Sequence, residues 1–96
     1  QEITIAYYDL SQKKYLDKTY RRDFEIISIV GNIVQMNKKY SIHAHGSFGD
    51  RDYNVFGGHI KKLIVSATCE VHLTVLSKKL VRNYDEKTGL NLLQEA

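Results

Sequence analysis

Three histidines are the residues of this sequence whose type and spacing point to chemistry. His43 and His45 sit two apart in Ile42-His43-Ala44-His45-Gly46, and His59 follows Phe56-Gly57-Gly58. Residues two apart on a strand face the same side, and at a rise of ~3.3 Å per residue their Cβ atoms lie roughly 6 to 7 Å apart. Two imidazoles at that spacing can converge on one metal ion, whose bonds to nitrogen run ~2.0 to 2.1 Å. The glycines before His59 let the backbone take a turn that other residues could not, and come close to a neighbouring strand. That freedom would let His59 close a three-histidine site, with a fourth position left for water, a carboxylate or a ligand. An H-x-H pair alone is a weak signal, since alternating histidines are common on exposed faces. H-x-H, then a short loop rich in Gly and Asp, then G-G-H is far more restrictive. The competing reading is two exposed histidines and one packed on a turn. His72 is the contrast: it shares the polar face of its segment with Glu70 and Thr74 and reads as plain surface.

Other polar residues are candidates for supporting roles. Glu70 is a candidate outer-shell partner. Asp50 and Asp52 flank Arg51 in the intervening loop; they either solvate that arginine or orient a histidine ring, as carboxylates do around metal-bound imidazoles. Arg82 is either a surface charge or an anion-binding group beside the site. Cys69 opens an alternating segment and reads as a small core residue. No Ser/His/Asp arrangement, phosphate-cradling loop or paired acid/base motif is present, so no catalytic residue is assigned. The basic residues come mostly as doublets, among them Lys38-Lys39, Lys61-Lys62 and Lys78-Lys79. Neighbours on a strand face opposite sides, so a doublet there makes no one-sided patch. Solvated turn charges that guard sheet edges are one reading; a phosphate-contacting surface built from these six lysines is the other.

Mainly strands must position these residues. Ile3, Ile5 and Tyr7 alternate with Glu2, Thr4 and Ala6, the period of a half-buried strand. Lys14-Tyr15-Leu16 reads as a short return strand. Phe24 to Met36 is apolar on both faces, with Phe24, Ile26 and Val30 on one and Ile27, Ile29 and Ile33 on the other. Such a strand is expected to be central and covered on both sides. Gly31 within it implies a bulge or a close backbone approach. Asn37-Lys38-Lys39 is a turn, Tyr40 to Phe48 a strand, and Gly49 to Gly58 a loop. Leu63 to Ala67 is short and apolar, suiting a strand or one helical turn. Cys69 to Leu76 alternates, with Cys69, Val71, Leu73 and Val75 inward. Leu80 to Tyr84 is a last strand, followed by a turn at Asp85 to Gly89 and a tail from Leu90 to Leu93. No stretch gives a long amphipathic helix.

Composition sets the bounds. Ninety-six residues make one domain or part of one, here a single unit over 1–96. One cysteine excludes an intrachain disulfide framework and a multi-cysteine zinc site. Apolar residues at 43% and charged residues at 26% fit an ordered globular chain and argue against disorder. No apolar run approaches the ~20 residues of a membrane span. With no charged-then-apolar leader at its start, the chain is expected in the cytoplasm, at the nucleoid if the host is a prokaryote. The excess of 14 Lys+Arg over 11 Asp+Glu permits an anionic partner without requiring one.

Five motifs in order carry a family resemblance across nearly the whole chain from Ile3. They are Phe24-Glu25-Ile26-Ile27-Ser28-Ile29-Val30-Gly31-Asn32-Ile33, His43-Ala44-His45, Gly57-Gly58-His59, Cys69-Glu70-Val71, and Arg82-Asn83-Tyr84-Asp85-Glu86-Lys87-Thr88-Gly89-Leu90. The sequence resembles the PPC domain, named for plants and prokaryotes. The resemblance implies an α+β fold: a mainly antiparallel sheet with few helices, assembled as a homotrimer. It also implies that the first strand and the helix of the domain precede Gln1. It implies a metal site, zinc or another divalent transition metal, on His43, His45 and His59. Family members are commonly regarded as DNA-binding proteins; in plants the domain follows an AT-hook, and this chain holds no Arg-Gly-Arg-Pro core. Three functions follow as expectations. The first is a DNA-binding or regulatory protein with the metal site. The second is a small zinc-dependent enzyme or ligand-binding module using the same histidines. The third is an interaction scaffold stabilised by metal and trimer.

Overall fold

β-Branched and aromatic residues fill the alternating segments, and the chain folds into strands alone. The computed structural model describes residues 1–96 as β1 (Glu2–Asp9), β2 (Lys14–Tyr20), β3 (Glu25–Met36), β4 (Lys39–Gly49), β5 (Val55–Ile64), β6 (Leu80–Asp85) and β7 (Leu90–Glu95). They form one sheet in the order β2-β1-β5-β4-β3-β6-β7. Every pairing is antiparallel except β3 with β6, which meet in parallel at a single bridge, Gln35 with Val81. The β3–β4 hairpin turns at Asn37 and Lys38, both at positive φ (52° and 64°). Two such residues in a two-residue loop match the right-handed twist of the flanking strands.

The two faces of the sheet do different work. One packs a small core of Ile3, Ile5, Phe24 and Phe48, with Ile26, Ile29, Phe56, Ile60 and Leu63 against it. Phe48 and Ile3 are fully buried, and the Phe24 and Phe48 rings meet edge to face at 5.5 Å. The other face carries the histidines. The sheet curls until its two end hairpins touch: Tyr8 Oη donates to the Thr88 carbonyl, and Lys13 Nζ donates to the Glu86 carbonyl at 2.9 Å. Gly89 makes that approach feasible. Its φ of 76° lies in the left-handed region, and a Cβ there would stand 2.8 Å from Tyr8 Oη.

Several sequence expectations are corrected. Residues 1–96 contain no helix, so this part of the expected α+β fold is all strand. The pairing of β3 with β4 skips Ile27, running from Ile26–Phe48 to Ser28–Ser47. That bulge reverses the alternation: Ile26, Ile29 and Ile33 share the Phe48 face, whereas Val30 and Asn32 share the histidine face. β3 is central in strand order but not covered, with Val30 74% exposed. The loop expected over Gly49 to Gly58 ends sooner, because β5 starts at Val55 and pairs with Gly49. The Leu90 tail is a strand, hydrogen-bonded to β6. Residues 65–79 form no strand, and Cys69, Val71, Leu73 and Val75 are exposed rather than inward. Alternation specifies the faces of a strand but not a partner, and no neighbouring strand supplies a ladder to this segment.

Candidate metal centre

Two adjacent strands bring the histidines together. His43 and His45 project from β4, and His45 is the direct cross-strand partner of His59 on β5. His59 therefore arrives on a strand and not after a turn. Gly57 and Gly58 lie in the ladder opposite Ser47 and Gly46. A Cβ on Gly57 would collide with the Gly46 carbonyl oxygen, so this glycine permits a close approach of backbones. Gly31 does the same between β3 and β4, where a Cβ would collide with the His43 carbonyl oxygen.

The resulting geometry is that of a three-nitrogen cluster. Ring centroids lie 5.1 Å apart for His43–His45, 5.0 Å for His43–His59 and 5.4 Å for His45–His59. One ligand nitrogen from each ring falls within 4.8 Å of the others. Zinc–nitrogen bonds of ~2.0 to 2.1 Å in a tetrahedron would place these nitrogens about 3.4 Å apart, within reach of small side-chain rotations. Three imidazoles with no thiolate suit zinc, copper, iron or nickel. His43 and His59 are partly buried and His45 is exposed, and all three line the cleft. Burial holds the His43 pKa below its usual 6.5, helped by the Arg82 guanidinium and by His45. Burial likewise lowers that of His59, with further contributions from His43, His45 and Lys61. Both rings are thus disposed to the neutral form that ligates metal.

Stacking fixes the rings. His43 lies nearly parallel to His45 at 18°, and Tyr15 of β2 stacks on His59 at 4.9 Å and 28°. Tyr15 in turn meets Tyr8 edge to face at 4.9 Å. The cleft inside the curl measures about 540 Å³ and is lined by all three histidines, Tyr8, Tyr15 and Arg82. Arg82 donates from Nη2 to Asn32 Oδ1 at 2.9 Å and from Nη1 to the Asn91 carbonyl at 3.0 Å. Asn32 is the β3 partner of His43 in the ladder. Sequence reasoning missed Asn32, Tyr8 and Tyr15. The signal for Asn32 was a lone amide within an apolar strand; the tyrosines carried none.

The other candidates lie elsewhere. Asp50 organises its own loop, accepting from the backbone N–H groups of Asp52 and Asn54 at 2.9 and 3.0 Å, with Arg22 at 3.8 Å. Asp52 is exposed in the same loop. The ladder puts Gly49 and Val55, the ends of that loop, four residues from the histidine pair, so neither carboxylate joins the rings. Glu70 and His72 line a separate cleft with Phe24, Ile26 and Leu63. Lys61 pairs with Asp17 at 2.9 Å, Lys62 with Glu2 at 2.8 Å, and Lys78 with Glu95 at 2.9 Å. Lys38 sits in the β3–β4 turn, Lys39 starts β4, and both are exposed, as is Lys79. The six lysines do not form one free basic surface.

Comparison with known proteins identifies the family and supports the fold. The model of the Plants and Prokaryotes Conserved (PCC) domain matches residues 1–77, and the chain belongs to that family. The structure is similar to that of a "putative DNA-binding protein" from Ralstonia eutropha JMP134, with a TM-score of 0.88 and 36% identity. That alignment covers 97% of this chain and 65% of the other. A protein of the same description from Bacteroides thetaiotaomicron gives a TM-score of 0.79 at 31% identity, covering 97% and 65%. A metal-containing protein from Archaeoglobus fulgidus gives 0.77 at 32%, covering 98% and 66%. The chain thus spans about two thirds of the length of these structures. No curated protein matches it.

Proposed function

We propose that this PCC-domain chain is a metal-binding regulatory protein that acts in association with DNA, with zinc held by His43, His45 and His59. The observation that carries the metal reading is the convergence of three ligand nitrogens within 4.8 Å on the wall of a cleft. The metal-containing Archaeoglobus relative adds support. Calorimetric titration of the metal-free protein with zinc tests it. One zinc per chain is expected for the wild type and none for His59→Ala; undiminished binding by the variant would refute the assignment.

The DNA reading draws on the descriptions of the Ralstonia and Bacteroides relatives and on the net charge of +3. Three of the six candidate lysines are spent on carboxylates, so any contact with DNA is expected to be weak and dominated by salt-sensitive phosphate binding. A mobility shift that appears at low salt and disappears at high salt is expected; no shift at low salt would end this part of the reading. Ile27, Val30 and Ile33 of β3 and Tyr40 and Ile42 of β4 are at least half exposed, which favours self-association into the homotrimer. Light scattering after gel filtration would read the mass directly.

A second reading rests on the same cleft. Three protein ligands and an open position are the arrangement in which zinc polarises a ligand or activates water. A ligand-binding module or a small hydrolytic enzyme would use it in that way.

A further inference from the structure

The cleft that holds the histidines has an unbalanced charge. Its walls contain no aspartate and no glutamate. Arg82 lies in it without a carboxylate partner; both of its hydrogen bonds go to neutral oxygens, Asn32 Oδ1 and the Asn91 carbonyl. A guanidinium offers five N–H donors, so three remain unspent, and one of them, on Nε, is buried with no acceptor. A divalent ion on three neutral imidazoles would add two positive charges beside that one. Charge gathered in a partly dry cleft is costly unless it is paired. Part of the remaining wall is apolar, with Met36 and Leu92 among its members beside Ser41, Asn91 and the tyrosines, and about 540 Å³ is room for a small organic molecule.

We infer that the cleft is a receptor for a small organic carboxylate, whose carboxyl group takes the open metal position and hydrogen-bonds Arg82 while its apolar body lies against Met36 and Leu92. This rests on the zinc reading above. Asn32 is the positioning residue: it aims the guanidinium from the β3 site opposite His43. Arginine suits the task because its planar fork can hold two neutral acceptors and still present N–H groups to a carboxylate.

Cobalt(II) in place of zinc makes the site visible, because its visible absorption bands change when the fourth ligand changes. Cobalt-loaded protein is titrated with benzoate, and separately with inorganic phosphate and with a short DNA duplex. A saturable band change with benzoate is expected, at least tenfold weaker in Arg82→Gln with cobalt stoichiometry unchanged, since hydrogen bonds to a charged group are worth that much or more. Should Arg82→Gln fail to fold, Arg82→Lys keeps the charge, loses the fork and is expected to bind benzoate several-fold more weakly. Equal benzoate affinity in the arginine variants and the wild type would overturn the role of Arg82. A response to phosphate or to DNA but not to benzoate would overturn the carboxylate assignment, as would no response to any probe. Failure to bind cobalt at all would refute the metal reading itself and this inference with it.

Discussion

A single methyl group at Gly57 is expected to damage both the fold and the metal centre. A Cβ there would collide with the Gly46 carbonyl oxygen and stand 3.1 Å from Ser47 Cα. Both obstacles are backbone, so relief requires β4 and β5 to part rather than a side chain to swing aside. Overpacking of this kind costs about 1 to 3 kcal/mol, against a gain of only ~0.4 to 1 kcal/mol from restricting the unfolded chain. Gly57→Ala should therefore lose up to about 2.5 kcal/mol in urea unfolding. Parting the strands also separates His45 from His59, which face each other two rungs away. Zinc affinity, measured by competition with a chromophoric chelator, should fall by about tenfold or more, because ligand geometry sets affinity at such sites. Gly49→Ala is the control. Its Cβ would meet the flexible end of Ile27, 3.3 Å away, so stability and zinc affinity should both stay near wild type. A Gly57→Ala protein as stable and as tight for zinc as Gly49→Ala would refute the reasoning that close backbone approach builds the site.

Other consequences are equally open to measurement. Phe48→Ala empties a fully buried position and should cost about 3 to 5 kcal/mol, enough to leave the chain largely unfolded in a urea titration. Tyr15→Leu removes the ring stacked on His59 and should weaken zinc binding about two- to tenfold, the equivalent of a ~0.5 to 1.5 kcal/mol aromatic contact. Lys62→Ala breaks an exposed ion pair with Glu2 and should change stability by less than about 1 kcal/mol. The Asp85 carboxyl is held below its usual 3.8 by hydrogen bonds from the Thr88 hydroxyl and backbone N–H. Its contribution is present above pH 3.8 and lost as pH falls through the lower folded value. Asp85→Asn should therefore melt earlier than wild type at neutral pH and converge with it in acid; a constant gap at all pH values would contradict this.

The sequence made the site more legible than the surface around it. His43 and His45 share a face for the simple reason that strand side chains alternate, and G-G-H marked a place where backbones come close. What spacing could not supply was register. The pairing of His45 with His59 follows from where β5 begins, and Val55 reads as loop from its neighbours alone. The bulge at Ile27 is invisible in an apolar run, since Ile27 suits either face, yet it decides that Asn32 rather than Ile33 stands beside His43. Arg82 could be marked as an anion contact or a surface charge, but its place in the cleft depends on the one-bridge seam between β3 and β6. Cys69 to Leu76 shows the opposite failure, a clean alternation with no strand to pair with. Asp50 could be read either way from the sequence, because a carboxylate in a loop serves its own turn, as it does here toward the Asp52 and Asn54 N–H groups, as readily as a distant ring.

Metal content of the protein purified from its host, set beside single alanine variants of all four histidines, tests the central claim most directly. The account requires about one zinc per chain in the wild type and in His72→Ala, and loss of stoichiometric metal in His43→Ala, His45→Ala and His59→Ala. Metal retained in any of those three, or lost on changing His72, would show that the cluster on β4 and β5 is not the metal centre.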